Sequence, residues 1–318
     1  MPVMSPPLIV EVHRGGFVES RHEVDIAVMG ADGHSSGWGV PARGVLTRSS
    51  MKPIQATALV ESGAADAHAL SPRQLALACA SHSGEPAHIE VVDAWLAQLG
   101  LDVSALECGG HYPTHDASAN ALIASGEGFD ARHNNCSGKH CGFLTLATHL
   151  GIDPAGYLSP AHPVQRDHVT PTIEELCGVS LADATPVIDG CGIPVWEVPL
   201  DRFASGWVAL NDRPAGRRVL AAMAAEPAMV AGSGHICSRV IATSEGRVVM
   251  KPGAEGVYAA VIPETGIGIA LKVRDGAGRA AEAAMLWVLD DLGAFKGLEP
   301  DPIRNVAGIE VGSVHVLA

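Results

Sequence analysis

The chain has 318 residues, 47% hydrophobic and 18% charged, a balance that can bury a large core and excludes intrinsic disorder. A net charge of −14 with no clustering of Lys and Arg excludes an electrostatic footprint for nucleic acid. No apolar run approaches the roughly 20 residues a membrane helix needs, and the first residues lack a basic head and a long apolar stretch. A cytoplasmic protein is therefore expected, with no nucleic-acid or membrane partner and one domain over residues 1–318, if need be as two intimate subdomains.

In chain order, residues 8–33 alternate apolar and polar side chains around Gly15-Gly16 and predict a hairpin running into further strand. Residues 50–62 predict a helix with Pro53 in its first turn. Residues 71–80 open with Ser71 then Pro72, a helix start. Residues 84–99 predict a helix with Ile89, Val92, Trp95 and Leu96 on one face, Ser83 as its cap and Glu85 in its first turn. The segment 133–150 begins as a polar loop and becomes a helix, and residues 161–177 and 214–231 read as helical. From 236 to 273 the β-branched runs RVIAT, GRVVMK, GVYAAVI and IGIALKV predict an antiparallel meander, before a last helix over 276–292. The fold class is α+β: one sheet built from both termini, with helices packed on it and a helical region inserted.

Seven cysteines in a chain with no export signal argue against a disulfide framework and for core, metal-binding or reactive thiols. Lysines are scarce: Lys52, Lys139, Lys251, Lys272 and Lys296 among 21 Lys and Arg. Arg stays charged in a protein, whereas Lys can serve as a base once its amine is neutral. In Arg48-Ser49-Ser50-Met51-Lys52, Ser49 and Lys52 are three apart and share a helix face, so the amine can take the hydroxyl proton. Ser-x-x-Lys is the nucleophile motif of serine β-lactamases and penicillin-binding proteins. Ser81 lies in a hydroxyl-rich loop after a helix and could relay a proton. Asn135, Cys136, Lys139 and His140 fall in a polar loop before an apolar helix, without the spacing of a phosphate loop. Cys136 and His140, four apart, could share a metal ion. Asp189 and Cys191 sit in a glycine-flanked turn, where a buried structural thiol is the plainer reading. Lys251 ends a strand before a Gly-rich turn, and Lys272 competes with it as the second site lysine.

Together these segments are similar to the bacterial L-asparaginase II family, the Rhizobium-type asparaginases. VHRGGFVES, TRSSMKPIQA, CASHSGEPAH, CGGHYP, NCSGKHCG, HPVQ, IDGCGIP, PLDR, MVAGSG and KPGAEGVYA follow one another in family order across residues 12 to 275. The resemblance implies a serine β-lactamase-like fold, hydrolysis of the side-chain amide of L-asparagine, and a homodimer. It implies that Ser49 and Lys52 are the nucleophile and its lysine, and that Ser81 and Lys251 form the second Ser/Lys pair. It further implies a zinc ion held by Cys136, Lys139 and Cys191, with Asp189 nearby and with Arg48, Asn135 and His140 as neighbours of the substrate.

Overall fold

The computed structural model describes residues 5–318. Residues 5–50, 197–208 and 247–318 form one compact unit, and residues 51–196 and 209–246 form a second.

The first unit is built on an antiparallel sheet. Its strands run Ile303–Arg304, Glu310–Leu317, Leu8–Arg14, Phe17–Met29, Ile267–Val273, Val257–Ile262 and Val249–Gly253, with Ser35–Trp38 paired alongside Phe17–Met29. The two termini meet where Leu8–Arg14 pairs with Glu310–Leu317. The predicted hairpin closes on Gly15 and Gly16, both at positive φ (54° and 92°), the backbone that a two-residue turn between twisted strands requires. Val257–Ile262 is buried at every position, so both faces of this strand are covered, which explains its unbroken apolar run. Helix Gly278–Asp291 covers the sheet with small residues, burying Ala280, Ala281, Ala283 and Ala284 beside Met285 and Leu289. Trp287 on this helix meets Trp38 edge to face. Helix Leu200–Asp212, which the sequence reading did not anticipate, begins in this unit. It comes so close to the sheet that a Cβ on Gly268 would lie 2.3 Å from the Ala204 carbonyl oxygen.

The second unit is helical, with one short ladder of Val187–Ile188 against Pro194–Val195. Helix Ser137–Leu150 is its axis, with every residue from Ser137 to Ala147 buried. A helix apolar or small on all sides is a core helix, not a surface one. Gly138 lets it approach helix Pro72–Ala78, since a Cβ there would stand 2.4 Å from the Leu77 carbonyl oxygen. Trp95, on helix Pro86–Gln98, donates its indole N–H to Thr145 Oγ1 at 2.9 Å.

Several expectations change in this frame. RVIAT is helical, not a strand: helix Ile236–Thr243 starts at His235, whose Nδ1 accepts the Cys237 N–H. Its buried residues Ile236, Cys237, Val240 and Ile241 form a helical stripe that a five-residue β-branched run concealed. The other three runs are strands, as expected. The Ala-rich stretch divides into Pro214–Ala225 and Pro227–Ala231, because Pro227 drives Glu226 out of helical backbone. Glu85, not Ser83, caps helix Pro86–Gln98, and Ser83 Oγ donates to the Glu85 carboxylate at 2.7 Å. On that helix His88 and Val91 join Val92, Trp95 and Leu96 in the buried face, while Ile89 is half-buried.

Candidate active site

Helix Lys52–Glu61 follows directly on a 3-10 turn, Arg48–Met51. Pro53 sits in its first turn, where a missing N–H costs nothing. Lys52, the first helical residue, is 1% exposed. Its amine donates to Ser81 Oγ at 3.0 Å and to the Ala80 carbonyl oxygen. Ser81 lies in the irregular segment between helix Pro72–Ala78 and helix Pro86–Gln98, and its N–H is held by the Val230 carbonyl at 3.0 Å. Within the second unit the Ser81 hydroxyl thus bonds Lys52, whereas the resemblance pairs Ser81 with Lys251.

Cys136, Lys139 and Cys191 converge in the same unit, all buried. Lys139 Nζ stands 2.9 Å from Cys191 Sγ. Cys191 is presented by the turn of the short ladder, closed by Asp189 N–H to the Ile193 carbonyl at 2.9 Å. A hydrogen bond from Cys191 outweighs burial and holds the Cys136 thiol well below its ordinary value. Cys191 is pushed up by Cys136 and by burial. Burial works against charge on Lys139, but Cys136, Cys191 and Asp189 raise it and keep it an ammonium. Cys136 Sγ lies 3.2 Å from Asn135 Oδ1, so a thiolate there calls for the amide to turn its NH₂ inward. His140 is buried and held neutral by burial and by Lys139. Its Nδ1 meets Tyr157 Oη at 2.7 Å, while Nε2 is buried with no hydrogen-bond partner among the described residues.

Two thiols and an amine are a donor set that suits zinc, once Cys191 and Lys139 have lost their protons. Among the described residues no group of three His, Cys, Asp or Glu side chains is placed to hold a metal ion. Lys139 would thus have to complete the set.

In the first unit, Arg48 adopts φ +48°, a left-handed backbone that a long side chain rarely takes. Of the two serines that follow, Ser50 is wholly buried and donates to the Thr47 carbonyl at 2.6 Å, while Ser49 is half-buried. Strand Val249–Gly253 ends against this turn: a Cβ on Gly253 would lie 2.9 Å from Ser50 Oγ and 3.1 Å from the Thr47 carbonyl oxygen. This close approach explains the glycine two residues after Lys251. Lys251 is fully buried, its amine 2.7 Å from the Pro252 carbonyl oxygen. Lys272 is half-buried and donates to the Glu255 carbonyl at 2.7 Å, closing the strand end.

His82 and Ser137, to which no sequence signal assigns a role, pair at 2.8 Å. Nothing in their spacing, 55 residues apart, foretells the contact.

A model of L-asparaginase II matches residues 10–316, which makes the protein an amidohydrolase of the asparaginase type. The chain belongs to the L-asparaginase II family. No curated protein matches it. Among solved structures it is similar to a β-lactamase from Sphaerobacter thermophilus DSM 20745, at 13% identity and TM-score 0.44, covering 87% of this chain and 94% of that one. It is also similar to an octameric penicillin-binding protein homologue from Pyrococcus abyssi, at 14% identity and TM-score 0.42, covering 84% and 73%. At these scores the likenesses carry nothing about activity. No helix of the described residues is long and apolar enough to cross a membrane.

Proposed function

We propose that the protein hydrolyses L-asparagine to L-aspartate and ammonia, with Ser49 as nucleophile and Lys52 as its base. The observation that carries this reading is the buried Lys52 amine, held against a serine hydroxyl at the head of the helix that follows Ser49. The unprotonated Lys52 amine takes the Ser49 proton as the Ser49 oxygen attacks the side-chain amide carbon. Backbone N–H groups stabilise the oxyanion. The C–N bond breaks as the Lys52 ammonium returns its proton, through Ser81 and Lys251, to the departing nitrogen, and ammonia leaves a β-aspartyl ester on Ser49. Water, deprotonated in turn by the amine, cleaves that ester and restores the hydroxyl.

Arg48, Asn135, His140 and Asp189 are assigned to substrate binding. The unpaired His140 Nε2 supports this assignment, because a buried ring nitrogen without a partner is costly unless a ligand or water completes it. Zinc held by Cys136, Lys139 and Cys191 would supply a fixed positive charge for recognising a carboxylate.

The test is ammonia release from L-asparagine and L-glutamine by wild type and Ser49→Ala, with zinc content measured on wild type and Cys136→Ser. Wild type is expected to release ammonia from asparagine, and Ser49→Ala to be slower by at least about 1,000-fold with its fold intact. Zinc is expected in wild type and not in Cys136→Ser. An active Ser49→Ala overturns the nucleophile, and equal zinc in both proteins overturns the metal site.

A further inference from the structure

We propose that His82 is a positioning residue that sets the distance between Ser81 and Cys136 by gripping the residues on either side of Cys136. The proposal rests on the reading of Ser81 as a proton relay.

His82 immediately follows Ser81 in a segment that has no secondary structure of its own. Such a segment is held only by the bonds it makes to its surroundings. Ser81 N–H is fixed to the Val230 carbonyl at 3.0 Å. His82 ties the same segment to the residues flanking Cys136. Its backbone N–H donates to the Asn135 carbonyl at 3.0 Å, and its ring Nε2 meets Ser137 Oγ at 2.8 Å. Residues 135 and 137 bracket Cys136, so one residue clasps both sides of the thiol while its chain neighbour carries the hydroxyl bonded to Lys52.

The directions of these bonds assign the ring's state. Gly84 N–H points at Nδ1 at 3.2 Å, so Nδ1 is an acceptor and the ring proton sits on Nε2. Nε2–H therefore donates to Ser137 Oγ, and the Ser137 hydroxyl passes its own proton to the Arg132 carbonyl at 2.9 Å. Only the neutral Nε2–H tautomer satisfies every partner. The ring is 1% exposed and stacks on His88 with centroids 5.0 Å apart, so it cannot swing away. A histidine that merely filled core space would not need a fixed tautomer or bonds to both flanks of one cysteine.

Three variants test the clasp: His82→Leu, which removes the donor; His82→Gln, whose amide N–H can reach the Nε2 position; and Ser137→Ala, which removes the acceptor and leaves the ring. Kinetics with asparagine and thermal midpoints are measured for each, and ¹⁵N-histidine spectra of wild type are assigned by the peak lost in His82→Gln. The expected result is a fall in kcat of about 10- to 100-fold in His82→Leu, as for a misplaced catalytic group, with KM moving far less. Recovery of most of kcat in His82→Gln, a fall in Ser137→Ala, and an Nε2–H tautomer for His82 are also expected. Wild-type kcat in both His82→Leu and Ser137→Ala overturns the proposal, as does an Nδ1–H tautomer. So does a loss in His82→Leu and His82→Gln alike that follows their thermal midpoints. Ser81→Ala is measured beside them. If it keeps full kcat, the relay reading falls and the clasp with it; if it loses kcat while the clasp variants do not, the clasp alone falls.

Discussion

Arg48 places a long side chain in left-handed backbone, at φ +48°, one residue ahead of Ser49. Such a conformation costs about 1–2 kcal/mol in any residue with a Cβ. A site that tolerates the cost gains a turn that no relaxed backbone would make there. Comparing Arg48→Ala with Arg48→Gly isolates the backbone effect, because both lose the same guanidinium. Arg48→Gly is expected to be the more stable by about 1 kcal/mol in urea unfolding, while both lose asparaginase activity. Equal stability would mean that the turn is not strained. The neighbouring serines show why residue roles were only partly legible. Ser49 and Ser50 are chemically identical in a sequence, and only the bond from Ser50 to the Thr47 carbonyl shows which hydroxyl is already engaged.

Among the elements, helix Ser137–Leu150 holds the second unit together. It carries Lys139 and His140, and its N-terminal residue receives the His82 bond. Its approach to helix Pro72–Ala78 depends on Gly138, which has no room for a methyl group beside the Leu77 carbonyl. Gly138→Ala is expected to destabilise the protein by about 1–3 kcal/mol, even though alanine is the better helix former. A thermal midpoint equal to or above wild type would sink this account. Elements with an internal period were legible from sequence, as were those with a capping residue: Ser71 and Gln74 do cap helix Pro72–Ala78 reciprocally. Helix Ile236–Thr243 was not, because its eight residues are too few to separate a helical stripe from a β-branched run.

For the molecule as a whole, a fully buried carboxylate of the first unit sets an acid limit. Asp25 is fully buried and accepts hydrogen bonds from Arg274, from Val40 N–H and from Arg43. Burial acts to raise its pKa, and these three bonds outweigh it, so the carboxyl sits below its ordinary value. The folded value is the lower one, so this stabilisation is complete above the unfolded value of about 4. It is lost as the pH falls through the depressed folded value. Wild type is therefore expected to lose more stability between pH 5 and pH 3 than Asp25→Asn does. At pH 7 Asp25→Asn should already be weaker by about 3 kcal/mol, near the low end for a broken buried pair because both guanidiniums reach water. Parallel urea midpoints for the two proteins across that range would remove Asp25 from the account.

The sequence by itself determined the α+β class, the sheet joining both termini, and the order of the motifs that place the chain in its family. Those properties rest on local periodicity, turn chemistry and the identities of a few reactive residues, all of which survive in one dimension. Tertiary structure decided the rest. Lys52 meets Ser81 across 29 residues, Lys139 meets Cys191 across 52, and His82 meets Ser137 across 55. It also separated the buried Lys251 from Lys272, whose amine closes a strand end. The reason is physical: whether a lysine is a solvated charge or a desolvated amine depends on what the fold packs around it, and residues distant in sequence supply that packing.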